Sequence, residues 1–203
     1  MVWMGTLILS GGGSQEQNAK AHEAFAKSLE QGKPLLYIPV AGDPERRPHE
    51  DSFRYIKRGL QPYGIFQIEM WTDLTGKSFE DIQAFAGIYI SGGCSWKLLH
   101  LMRDSGFDRI LLDFYRKGGS IFGQSAGAVI WGSRLPSDLS EEGLNLVEDC
   151  LVWCHYKHQD HEKISRLIDD ASLPVLALED GGAVVVQDGR REAVSGKGFE
   201  WHP

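Results

Sequence analysis

The chain has 203 residues, of which 42% are hydrophobic and 24% charged, and a formal net charge of −7 at pH 7. That acidic balance argues against a nucleic-acid partner or an anionic membrane surface, and no apolar run is long enough to span a bilayer. Three cysteines (Cys94, Cys150, Cys154) are too few and odd in number for a disulfide framework, and residues 1–7 lack the basic region and long apolar core of a secretory signal, so a cytoplasmic setting is expected.

Residues 6–10 (Thr-Leu-Ile-Leu-Ser) read as a buried strand, followed by Gly11-Gly12-Gly13 and a helical stretch over 18–31. A second strand is expected at 34–40, a second helix at 49–63 and a third strand at 65–71. A short helix at 79–85 precedes a fourth strand at 87–91, which ends in Gly92-Gly93-Cys94. Helices over 96–102 and 107–117 lead to the run Gly118-Gly119-Ser120-Ile121-Phe122, a further strand. Short apolar segments follow at 151–154, 175–178 and 183–186, with a helix at 161–169 between the first two. Continuous apolar strands alternating with helices imply an α/β fold, a mostly parallel sheet with helices on both faces in a flavodoxin-like three-layer sandwich. No Ser/Pro-rich or charged linker divides the chain, so residues 1–203 are expected to form a single domain.

Ser125 follows that last strand before the elbow, within Gly123-Gln124-Ser125-Ala126-Gly127-Ala128, and helix-forming residues lie beyond it. A strand running into a small-residue turn and then a helix is the pattern of a nucleophile elbow, where glycines keep neighbouring backbone away from the reactive side chain. The turn leaves the Ala126 N–H at a helix N-terminus, free to stabilise an oxyanion. Ligands of parallel sheets collect at the carboxyl ends of the strands, and other candidates end strands too: Ser91-Gly92-Gly93, His155 after 151–154, and Glu179-Asp180-Gly181 after 175–178. Acyl transfer needs a nucleophile, a base, an acid that orients the base, and oxyanion donors. Each candidate also has a plainer reading, as a strand-to-helix turn, a strand terminus or a turn acid. Their joint placement at one edge of the sheet favours the chemical reading.

His155, His158 and His161, with Glu162 and Cys154 nearby, are spaced three apart, which on one helix would suit zinc. Residues 151–154 read as a strand, so no shared helix and no metal site is expected. Gly11-Gly12-Gly13 lacks the G-x-G-x-x-G spacing of a dinucleotide loop, so no nucleotide cofactor is expected either.

The elbow Gly123-Gln124-Ser125-Ala126-Gly127-Ala128 resembles that of the peptidase E (aspartyl dipeptidase) and cyanophycinase family of serine peptidases. The resemblance runs through Leu7–Gly13, Ile88–Gly93 and Cys154-His155-Tyr156 to Leu176–Gly181, and so covers nearly the whole chain in order. It implies a class I glutamine amidotransferase-like fold, with Ser125 as nucleophile, His155 as base and Asp180 as the acid of the triad. Glutamate is usual at the last position, and Glu179 beside it is the rival. Gly93 and Ala126 would then donate the oxyanion-hole N–H groups. Aspartyl dipeptidases carry an arginine-rich stretch after the histidine, suited to gripping a carboxylate; here only Lys163 and Arg166 are cationic between 158 and 166, a departure that leaves the side-chain preference open. Asp138, with Glu141 and Glu142, lies where the family has an acid near the site, and reads as a solvated turn.

The expected activity is hydrolysis of small peptides, without cofactor, metal, nucleic acid or membrane, by a chain for which a homodimer is left open. A cyanophycinase-like isopeptidase, an esterase, and a catalytically silent amidotransferase-like binding module are the alternatives.

Overall fold

The computed structural model describes residues 5–196 and 198–202. In chain order, β1 (Leu7–Ser10), α1 (Ala19–Ser28), β2 (Leu35–Ile38), α2 (His49–Leu60), β3 (Ile68–Met70), α3 (Phe79–Ile82) and β4 (Gly87–Ile90) come first. Next are α4 (Ser95–Ser105), α5 (Phe107–Arg116), β5 (Ser120–Gln124), α6 (Ala126–Val129), β6 (Arg134–Leu135) and β7 (Asp138–Glu142). The chain closes through β8 (Leu151–Trp153), α7 (His161–Ala171), β9 (Val175–Leu178), β10 (Ala183–Gln187), β11 (Arg190–Ser195) and β12 (Gly198–Trp201). Seven strands make the main sheet, in the order β11-β10-β1-β5-β4-β2-β3. The five from β1 to β3 are mutually parallel, while β10 runs antiparallel to β1 and β11 antiparallel to β10. This is the mostly parallel sheet that the alternation implies, in the class I glutamine amidotransferase-like arrangement that the family resemblance implies.

Burial on both faces explains why these strands read as unbroken apolar runs. Successive side chains point to opposite faces. Leu7, Leu9, Leu36, Ile38, Ile88, Ile90 and Ile121 pack on one face with Leu98 and Leu99 of α4 and Phe107 and Leu111 of α5. Ile8, Leu35, Tyr37, Tyr89 and Phe122 pack on the other with Phe25 of α1 and Ile56 and Leu60 of α2. Fully burying one such aliphatic side chain contributes roughly 1.5–3 kcal/mol, so the central strands anchor whatever their carboxyl ends carry.

The structure departs from the expectation at several places, the following among them. The segments at 151–154 and 175–178 leave the main sheet and pair in parallel as β8 and β9, with β12 antiparallel beside them. Their apolar runs are satisfied by α7, whose Ile164, Leu167 and Ile168 cover Leu151, Val175 and Ala177. Asp138, Glu141 and Glu142, read as a solvated turn, lie instead on β7, which pairs with β6 as a hairpin. The helix expected over 49–63 ends at Leu60 and passes through a 3₁₀ turn, Gln61–Tyr63, that stops at Gly64 with φ 83°. The strand expected over 65–71 contracts to Ile68–Met70. Among the described residues, no helix is long and apolar enough to cross a membrane.

Candidate active site

β5 delivers Ser125 at the mouth of the sheet, and the local backbone is forced. Ser125 has φ 51° and ψ −110°, a conformation that side-chain-bearing residues seldom adopt. Its N–H donates to the Ser10 carbonyl at 2.9 Å, and its own carbonyl accepts from Ala128 N at 2.8 Å and Val129 N at 2.9 Å. The small residues of the motif are steric requirements. A Cβ on Gly123 would lie 2.2 Å from the Gly127 carbonyl oxygen, and one on Gly127 would lie 2.5 Å from that of Ile90.

Two further segments converge on the serine. The Ser125 Oγ lies 2.7 Å from His155 Nε2, and His155 Nδ1 lies 2.6 Å from Asp180 Oδ1. With Nδ1 facing a carboxylate it carries the ring proton, which leaves Nε2 to accept from the serine hydroxyl. Asp180, not Glu179, faces the imidazole: it lies in the turn after β9 that Gly182 N closes on Glu179 O at 2.9 Å, with Gly181 at φ 78° and its N–H on Gly12 O. The side chains of His155 and Asp180 are 53% and 40% exposed, so the site opens directly to solvent. His155 follows β8 with φ 57°, held there by its N–H on the Gly11 carbonyl at 3.0 Å and by Tyr156 N on Leu178 O at 3.0 Å.

The end of β1 ties these segments together. Ser10 O accepts from Ser125 N, Gly11 O from His155 N, and Gly12 O from Gly181 N at 2.9 Å, so three consecutive carbonyls hold the three segments that carry Ser125, His155 and Asp180. Buried Asn18 fixes this loop: its Nδ2 donates to Gly12 O and Ser14 O, each at 2.9 Å, and its Oδ1 accepts from the Ser10 hydroxyl. In the sequence the three glycines belong to the family resemblance and lack the spacing of a nucleotide loop; the signal for their role is their position directly after a central strand. Gly12 has φ 118°, and a Cβ on it would fall 2.2 Å from His155 Cε1. Gly12→Ala is therefore expected to displace the imidazole and slow fluorophosphonate labelling of Ser125 by ~10²-fold, with the thermal melt checking that the fold survives. An unchanged labelling rate would refute this account of the loop.

Gly93, at φ 149°, turns the chain after β4 against the loop that follows β2; a Cβ there would lie 2.1 Å from the Ala41 carbonyl oxygen, so no larger residue fits. Neighbouring Gly92 abuts Ser125, its notional Cβ 3.2 Å from the serine Cβ. Among the described residues, no backbone carbonyl takes the Gly93 or Ala126 N–H. Cys154 adjoins His155 with its Sγ 3.6 Å from Ser125 O. Burial, and secondarily the Asp180 carboxylate, pushes its thiol up to about 12, which keeps it protonated and out of nucleophilic chemistry.

Other candidates lie elsewhere. His158 falls in a 3₁₀ turn and His161 opens α7, both exposed, and no group of three metal-ligating side chains occurs among the described residues. Asp138 is exposed on β7 and accepts from Ser140, while Glu141 lies 3.5 Å from Arg103. Two clefts flank Ser125. One carries the polar side chains of Tyr37, Arg47, His49, Ser52 and Gln124 on a mixed wall that also includes Pro39 and Ile56; the other is largely apolar and bordered by Val129, Pro136, Val152 and Trp153. Sequence reasoning found neither, because their walls come from segments far apart in the chain.

The model of peptidase family S51 matches residues 6–194. The chain belongs to peptidase family S51. This S51 member is a serine-type peptidase. It is 28% identical over 180 residues to an uncharacterized peptidase of Listeria innocua (Lin0382), a match covering 78% of this chain and 82% of that one. A second uncharacterized peptidase, Lmo0363 of Listeria monocytogenes, is 26% identical over 154 residues, 68% of this chain and 73% of the relative. In fold, the S51 peptidase is similar to a peptidase from an acI-B1 actinobacterium, with a TM-score of 0.74 at 18% identity over 99% of this chain and 95% of that one. It is similar also to a peptidase E-like protein of Listeria monocytogenes EGD-e, with a TM-score of 0.73 at 22% identity over 94% of this chain and 98% of the other.

Proposed function

We propose that this S51 peptidase hydrolyses small peptides in the cytosol through an acyl-enzyme on Ser125. The observation that carries the reading is the unbroken hydrogen-bonded line from Ser125 Oγ through His155 to Asp180, set on an elbow. The serine oxygen attacks the scissile carbonyl as its proton passes to His155 Nε2. Negative charge develops on the carbonyl oxygen, where the Gly93 and Ala126 N–H groups stabilise it. The tetrahedral intermediate collapses, the C–N bond breaks, and the Nε2 proton leaves with the amine. Water then attacks the acyl-enzyme, giving one proton to Nε2, and the returning proton regenerates the serine hydroxyl. Asp180 stays ionised throughout and holds the imidazole in the tautomer that can accept at Nε2.

Restriction to small peptides draws on the likeness to a peptidase E-like protein and on the resemblance of the elbow to aspartyl dipeptidases. Fluorophosphonate labelling followed by a dipeptide panel tests the reading. Labelling at Ser125 with dipeptide turnover supports it. Labelling with turnover only of esters or isopeptide-linked polymers replaces it by another hydrolase chemistry, and absence of labelling makes the chain a binding module.

Asp180→Asn is expected to keep the thermal melt close to wild type while lowering turnover by ~10²- to 10⁴-fold, because the amide cannot hold the imidazole tautomer or its positive charge. Comparable loss in Glu179→Gln, with Asp180→Asn near wild type, would transfer the role to Glu179.

A further inference from the structure

The cleft that Ser125 shares with Tyr37 and Gln124 contains a cation that the mechanism does not use. Arg47 lies in the loop between β2 and α2, flanked by Pro44 and Pro48, and borders the same cleft as Ser125, Gly93 and His155. Its guanidinium sits over the Tyr55 ring, 4.9 Å from the centroid, which restrains a flexible side chain. The loop itself is pinned: Arg47 N donates to Asp43 O at 2.9 Å, Lys97 Nζ donates to Gly42 O at 2.7 Å, and Cys94 N donates to Ala41 O at 2.9 Å. The one acid of this loop that borders the cleft, Asp43, lies 4.0 Å from Arg46 and accepts from Glu45 N. Among the described residues, no carboxylate lies within ion-pair distance of Arg47.

The cations after His155 do not serve this cleft. Lys163 lies 3.7 Å from the buried Asp160 that precedes α7, Arg166 lies 3.7 Å from the exposed Glu162, and neither cation borders the cleft. Arg47 is exposed, borders the nucleophile's cleft and is stacked on Tyr55, with no acid within ion-pair distance among the described residues. A guanidinium so placed offers two parallel donors to a carboxylate that enters the cleft. Tyr37, Ser52 and Gln124 add hydroxyl and amide groups to the same wall, whereas the cleft on the other side of Ser125 is largely apolar.

We propose that Arg47 is a specificity-determining residue that binds a carboxylate of the substrate, on a loop different from the one after the histidine where aspartyl dipeptidases carry theirs. The proposal rests on the reading of Ser125 as the reacting centre. The carboxylate belongs either to the free C-terminus of a short peptide or to an acidic side chain, and the two sources are separable. Uncharged side chains are then left to the apolar cleft lined by Val129 and Trp153.

Binding to the Ser125→Ala protein, measured by titration calorimetry, isolates recognition from chemistry. The probes are Ala-Leu against Ala-Leu-amide, and Asp-Leu-amide against Asn-Leu-amide. In one of these pairs the acid is expected to bind about 10- to 100-fold more tightly than its neutral partner, the range for a charge-assisted bidentate contact. The first pair identifies a terminal carboxylate, the second a side-chain one. Adding Arg47→Gln should erase that ratio while leaving the neutral peptide within about threefold of its original Kd. Arg47→Lys, which keeps the charge and the stem, should retain part of it and serves if the glutamine variant melts early. No acid preference in either pair, a ratio that survives Arg47→Gln, or no binding by any of the four peptides overturns the proposal. Fluorophosphonate labelling of the wild-type protein tests the Ser125 reading separately, so the two can fail independently.

Discussion

Alanine at position 125 is expected to lower peptide hydrolysis by ~10³-fold or more and to abolish fluorophosphonate labelling. The thermal melt should hardly move. The hydroxyl meets His155 Nε2 at the exposed mouth of the sheet, and the elbow is held by backbone bonds from Ser10, Ala128 and Val129 that a methyl side chain leaves intact. Residual activity above that of water would come from the oxyanion donors and from binding. Near-wild-type turnover in Ser125→Ala would remove the acyl-enzyme mechanism altogether.

His155→Asn is expected to cause a loss of similar size. Asparagine is the informative replacement, since it tolerates the left-handed backbone that His155 adopts at φ 57°. The geometry of the loop is thereby preserved while the base is removed. Combined with Ser125→Ala, it should add little to either single loss, because nucleophile and base act as one unit. His158→Asn, a change at an exposed residue of the adjoining 3₁₀ turn, should leave turnover within a factor of about three. Equal damage from that control would place the base at the wrong histidine, and full additivity in the double variant would break the coupled mechanism.

The elbow was legible because its information is local: Gly123, Ser125 and Gly127 lie within five residues, and each small residue answers a clash measurable at its own position. The parallel sheet was legible for a related reason, since strands such as Ile88–Tyr89–Ile90 are apolar on both faces and can only be interior. The edges were not. β7 (Asp-Leu-Ser-Glu-Glu) and β11 (Arg-Arg-Glu-Ala-Val-Ser) are polar strands whose pairing is set by neighbours rather than by any apolar period. The departure of β8 and β9 into a second sheet was hidden for the opposite reason, because an apolar run does not say which sheet buries it. Within the site, Ser125, His155 and Asp180 were placed at strand ends by pattern. Arg47 was missed because a cation in a Pro-rich loop looks like ordinary surface until Tyr55 and the Gly93 turn are seen beside it.

The carbonyls of Ser10, Gly11 and Gly12 have a consequence for which changes the chain tolerates. They belong to the backbone, so no side-chain substitution at these positions removes the acceptors themselves. Inserting or deleting one residue is different, because it changes which carbonyl meets Ser125 N, His155 N and Gly181 N and so slides three segments out of register at once. The length of this stretch is therefore fixed by geometry, whereas the exposed turn at Gly189, whose added Cβ would meet nothing within 4 Å, has room to vary.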